Sequence, residues 1–101
     1  MKKILLVCGT GASSGFIAAN TRKAAAAAGK DYDIIARSDS AAEDYIEEVS
    51  LLLVGPHLDY MLEELEEMGS EYDVPVRLIP KDVYGAMDGA GILKIIDENV
   101  K

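Results

Sequence analysis

The 101-residue chain is half hydrophobic and 28% charged, with its glycines and prolines scattered, which is the balance of one soluble globular domain over residues 1–101 and excludes a disordered or two-lobed protein. Its 18 acidic and 10 basic residues give a formal charge of −8 with no lysine or arginine cluster, so nucleic acid and anionic membrane surfaces are poor partners. Apolar runs such as Leu51-Leu52-Leu53-Val54 are far below the ~20 residues of a membrane helix, and Met1-Lys2-Lys3 leads into a short strand, so a cytoplasmic protein without direct membrane insertion is expected.

Residues 3–7 form a continuous apolar run that predicts a strand buried on both faces, ending in Cys8-Gly9-Thr10-Gly11-Ala12-Ser13-Ser14-Gly15, a glycine and hydroxyl turn. A helix follows, with Ser13 or Ser14 available as its cap, the alanines at 24–28 as a close-packing face and Gly29 as its stop. A second strand is predicted over residues 32–37. Ser40-Ala41-Ala42-Glu43 then has the spacing of a capping box for a short helix through Tyr45, Ile46 and Val49.

Leu51-Leu52-Leu53-Val54 reads as a third buried strand ending at Gly55-Pro56-His57. Leu58, Met61, Leu62 and Leu65 fall at helical spacing, with Glu63, Glu64, Glu66 and Glu67 opposite them as a solvated face, and Tyr60 and Met61 are assigned to the core rather than to a docking patch. Residues 74–79 predict an edge strand bracketed by Pro75 and Pro80. A turn-rich segment, Tyr84-Gly85-Ala86-Met87-Asp88-Gly89, leads to a last helix carrying Ile92, Leu93, Ile96 and Val100, with Asp88 as its N-cap.

Strands that alternate with helices predict an α/β, three-layer sandwich: an open, parallel, four-stranded sheet in the order 2-1-3-4 with helices on both faces. Ligands of such sheets bind at the carboxyl ends of the strands, beside strand one. Cys8, the Gly55-Pro56-His57 turn and residues 80–89 all fall on that edge.

The lone Cys8 excludes an internal disulfide and a multi-cysteine metal site, leaving either a small core thiol or a nucleophile. A cysteine at a strand end, before a loop that opens a helix, faces unpaired N–H groups and the positive end of the helix dipole. Both stabilise a thiolate and the oxygens of a phosphoryl group attached to it. Gly9, Gly11 and Gly15 let backbone wrap an anion, and Thr10, Ser13 and Ser14 offer hydroxyls, so the loop from Gly9 through Ala12 to Gly15 is a candidate phosphate cradle.

Related loops differ at decisive positions. The low-molecular-weight phosphotyrosine phosphatases, whose anion-loop fold this one is similar to, place an arginine where this chain has Ser14, and an arsenate-reductase-like reaction lacks its second cysteine. A thiophosphate held by neutral donors suits a relay better than a hydrolase. The Thr10 to Gly15 stretch resembles the cofactor loop of short-chain dehydrogenases, but Ile17 replaces the last glycine and no Tyr-x-x-x-Lys follows; no nucleotide-binding G-x-x-x-x-G-K-[ST] motif occurs either. A flavodoxin-like binding module with Cys8 in its core is the remaining non-catalytic alternative.

Ile4-Leu5-Leu6-Val7-Cys8 with its loop, Ser14-Gly15-Phe16-Ile17-Ala18-Ala19-Asn20, Leu53-Val54-Gly55-Pro56-His57 with Tyr60-Met61-Leu62, and Val83-Tyr84-Gly85-Ala86-Met87-Asp88-Gly89 with Gly91-Ile92-Leu93-Lys94 resemble, in order, the lactose/cellobiose-type enzyme IIB proteins of sugar phosphotransferase systems. The resemblance implies that Cys8 takes a phosphoryl group from a phosphohistidine of enzyme IIA. It passes the group to a β-linked sugar of the cellobiose, lactose or chitobiose class in the membrane-embedded enzyme IIC. No cofactor, metal or nucleotide is expected for this step, and a monomer that docks transiently is. His57 departs from the glutamine that family members often carry after Gly-Pro. With Tyr84 it is a candidate neighbour of the phosphoryl group, although a helix-start role for His57 is simpler, and Asn20 is assigned to a side facing away from the chemistry.

Overall fold

The structure, a computed structural model, describes residues 2–8 and 13–100, and the side chains of Cys8, Ser13 and Ser14 fall outside that description. Among the described residues the strands are β1 (Lys2–Cys8), β2 (Tyr32–Ser38), β3 (Leu51–Val54) and β4 (Val76–Leu78). They form one sheet in the order β2-β1-β3-β4, with every neighbouring pair parallel, as the alternation of strands and helices predicts. The helices are α1 (Ser13–Ala27), α2 (Ala42–Tyr45), α3 (Leu62–Ser70), α4 (Lys81–Gly85) and α5 (Gly89–Asn99), with 3-10 turns at Asp39–Ala41 and Pro56–Met61.

The pleat sends alternate residues of the apolar strands into two separate cores. Ile4 and Leu6 of β1, Ile34 of β2 and Leu51 and Leu53 of β3 pack with Ile17 and Ala18 of α1 and Ile92 and Ile96 of α5. Leu5, Val7, Leu52, Val54 and Val76 point the other way, onto Ala42, Ile46, Leu58 and Leu65. Helices therefore cover both faces, and each fully buried aliphatic side chain contributes about 1.5–3 kcal/mol.

The ends of α1 are set by local chemistry. Gly29 stands at φ 72, Lys30 N–H donates to the Ala25 carbonyl at 2.9 Å and Gly29 N–H to the Ala26 carbonyl at 3.1 Å, the paired bonds of a glycine-terminated helix. Ala25 is buried and Ala24 half-buried, but Ala26, Ala27 and Ala28 are exposed, so only part of the alanine run packs. The close approach lies elsewhere, where Gly89 of α5 meets the backbone of Asn20 and Thr21.

Several boundaries differ from expectation. The capping box does not form: Ser40 lies inside the 3-10 turn with its hydroxyl 2.9 Å from that of Ser38, and α2 starts after Ala41 without a side-chain cap. The chain must turn directly off β2, which consumes the residues that would have capped a longer helix. Likewise the helix predicted from Leu58 begins only at Leu62, because Leu58 is non-helical (φ −105°, ψ 22°) within the 3-10 turn. That kink leaves Tyr60 77% exposed, so Tyr60 is not a core residue, whereas Met61 does pack against the core. α4, one turn that follows Pro80, runs into the turn-rich segment at Tyr84, and Asp88 caps α5 by accepting from the Gly91 N–H at 3.0 Å.

Candidate active site

Cys8 is the last residue of β1, in register with Ser38 of β2. On its other side the β1–β3 ladder continues past the strand, with Gly55 N–H donating to the Val7 carbonyl at 2.9 Å, and Ile79 N–H extends the β3–β4 ladder to the Val54 carbonyl at 2.8 Å. Parallel pairing thus brings Cys8, the turn that starts at Gly55 and the segment that starts at Pro80 to one carboxyl edge of the sheet.

The expected cradle is divided by the boundary of the described residues. Gly9, Thr10, Gly11 and Ala12 lie outside it, as do the side chains of Ser13 and Ser14 and any capping by them. Ser13, Ser14 and Gly15 form the first turn of α1 rather than the turn before it. They carry the backbone N–H groups of a helix start, which have no intrahelical acceptor.

His57 and Tyr84 meet at this edge, with ring centroids 5.5 Å apart and planes inclined by 59°. They line a cleft of about 520 Å³ together with Pro56, Asp59, Lys81 and Gly85. His57 is exposed, in the first turn of the 3-10 segment, and Tyr84 is half-buried on α4. Lys81 and Asp59 were invisible to sequence reasoning because isolated surface charges carry no pattern. Asn20 does not line this cleft; its Nδ2 donates to the Met87 carbonyl at 2.9 Å, in the segment between α4 and α5.

A second depression, lined by Glu43, Glu64, Glu67, Glu71, Met68 and Tyr72, belongs to α2, α3 and the turn after α3. Its glutamates repel a phosphoryl group, and the charge of Glu47 is the main cause that raises the Tyr72 pKa. It is unsuited to the chemistry of the cysteine edge. Among the described residues no three His, Cys, Asp or Glu side chains converge as metal ligands, and no helix is long and apolar enough to cross a membrane.

A family model described as the lactose/cellobiose-specific IIB subunit of the PTS system matches residues 3–95. A galactose-specific EIIB component from Lactococcus lactis subsp. cremoris is 32% identical over 97 residues, covering 91% of this chain and 90% of that protein. A cellobiose-specific EIIB component from Lactococcus lactis subsp. lactis matches with the same identity and coverage. In fold, the lactose-specific IIB domain from Streptococcus pneumoniae superposes with a TM-score of 0.89 over 99% of this chain and 98% of that one, at 14% identity.

Proposed function

The chain belongs to the lactose/cellobiose-specific IIB family of the sugar phosphotransferase system, and we propose that Cys8 is the residue through which it relays the phosphoryl group. It is a phosphotransferase component of a sugar-specific system. The observation that carries the assignment to Cys8 is its place at the end of β1, flush with Gly55 and followed in sequence by the helix that starts at Ser13.

In the first step the Cys8 thiolate attacks the phosphorus of a phosphohistidine on enzyme IIA. The S–P bond forms as the P–N bond breaks, and the electron pair returns to the imidazole nitrogen. In the second step a sugar hydroxyl held by the membrane enzyme IIC attacks the phosphorus, the S–P bond breaks and the thiolate leaves, while the hydroxyl proton passes to a base. Gly9, Thr10, Gly11, Ala12, Ser13, Ser14 and Gly15 serve as the cradle, whose neutral donors hold the equatorial oxygens without the arginine of a hydrolase.

The chain works as a single domain over residues 1–101, a cytoplasmic monomer that docks transiently on its two partners. The acceptor is a sugar of the cellobiose, lactose or chitobiose class. Equal likeness to a galactose-named and a cellobiose-named relative supports the reading that the sugar is chosen in enzyme IIC rather than in this chain.

The test is incubation with phosphoenolpyruvate, the general phosphotransferase proteins and a cognate enzyme IIA, followed by intact mass. Wild type gains one phosphoryl group and Cys8→Ser gains none. An unmodified wild type, or an equally modified Cys8→Ser, refutes the relay.

A further inference from the structure

Asn20 occupies an exposed position about two turns into α1, the helix that follows the Cys8 loop. Its Nδ2 donates to the Met87 carbonyl, 67 residues away in the chain. Met87 accepts at φ 51, a left-handed conformation unfavourable for a residue with a side chain. Immediately after it Asp88 caps α5, and Gly89 lies so near α1 that a Cβ there would stand 2.3 Å from the Asn20 carbonyl oxygen. The 80–88 arm is therefore fastened to α1 at one end and, through Tyr84 and His57, to the turn after β3 at the other.

The sheet alone does not fix this arm, because β4 is a three-residue edge strand and α4 is a single turn. An exposed hydrogen bond adds little to stability, since water competes for both partners. What the Asn20 contact does is hold a strained backbone in one place, a device that pre-organises sites. Resting on the relay reading above, we infer that Asn20 is a positioning residue for phosphoryl transfer. Its bond to Met87 sets the arm bearing Lys81 and Tyr84 against the helix that opens beyond Cys8.

Phosphorylated enzyme IIA at varied concentration is mixed with wild type, Asn20→Ala and Asn20→Asp in a rapid-quench instrument. The aspartate keeps the shape but sets an acceptor against the carbonyl. The saturating transfer rate is expected to fall about tenfold or more in both variants, since small misplacements cost that much in positioned reactions. The donor concentration for half-maximal rate stays within about twofold, because binding is not what changes. A saturating rate within about twofold of wild type, or a loss confined to the half-maximal concentration, overturns the positioning role. No transfer in wild type sinks the relay reading itself, and this inference with it. Should the variants fail to fold, methionine-methyl NMR of wild type carries the test. The Met87 resonance is expected to move when Cys8 is phosphorylated, and an unmoved resonance overturns the coupling.

Discussion

His57 and Tyr84 lean on one another across the mouth of a cleft, centroids 5.5 Å apart, and so join the turn after β3 to the helix after β4. Tilted ring pairs are worth about 0.5–1.5 kcal/mol beyond the area they bury. A double-mutant cycle with His57→Ala and Tyr84→Ala is expected to return a coupling energy in that range of about 0.5–1.5 kcal/mol from urea unfolding. Strict additivity of the two single changes would show that the rings do not interact in solution.

Gly55 and Gly89 are both small for want of space, but their neighbours differ. A Cβ on Gly55 would come 2.8 Å from His57 Cε1, the far end of a side chain, on a backbone (φ −62°, ψ 145°) that alanine adopts freely. Gly55→Ala is therefore expected to cost less than about 1 kcal/mol while displacing the His57 ring, read as a shift of its NMR resonances. A Cβ on Gly89 would meet backbone atoms of Asn20 and Thr21 at 2.3, 2.4 and 2.8 Å, and backbone cannot swing aside. Gly89→Ala should destabilise by about 3 kcal/mol or more, in thermal unfolding. Equal melting of Gly89→Ala and wild type would contradict the packing of α5 on α1.

The strand order was legible because residues 4–7 and 51–54 are apolar on both faces, which only central parallel strands require; all eight are at most 1% exposed. The carboxyl edge followed from that order, and so did the presence of the His57 and Tyr84 turns on the edge where β1 ends. Ser40 misled because a capping box reads as local, whereas the turn off β2 engages that hydroxyl with Ser38. The Asn20 hydrogen bond was hidden for the opposite reason: its acceptor is a backbone carbonyl 67 residues away, which no spacing encodes. Lys81 and Asp59 line one cleft only because two strand-end turns fold over it.

The alanine run and the β3 strand give contrasting substitutions. Leu53 is 1% exposed, paired with Leu6 and Arg77 in the sheet and packed under α1 and α5. Leu53→Ala is expected to cost about 2–5 kcal/mol, from lost burial and the cavity left behind. Ala26 is exposed, and Ala26→Gln should change stability by no more than about 0.5 kcal/mol. Urea midpoints that moved equally for both would contradict the two-sided burial of β3.

Tyr32 ties β2 to α5: its hydroxyl donates to Asp97 Oδ1 at 2.6 Å, and Lys30 Nζ lies 3.7 Å from the same carboxylate oxygen. That hydrogen bond, with burial and the Asp97 charge behind it, pushes the phenol pKa up from 10.0 to about 12. The folded state thus holds its proton more tightly than the unfolded chain. The stabilisation is complete below pH 10.0, the ordinary value, and is lost as pH rises toward about 12. Other groups titrate in that window, so the measurement is the difference between wild type and Tyr32→Phe in thermal midpoint across it. Wild type should hold a constant advantage below the window and surrender it within the window. An advantage that persists unchanged at the alkaline end would mean that the Asp97 hydrogen bond does not stabilise the fold.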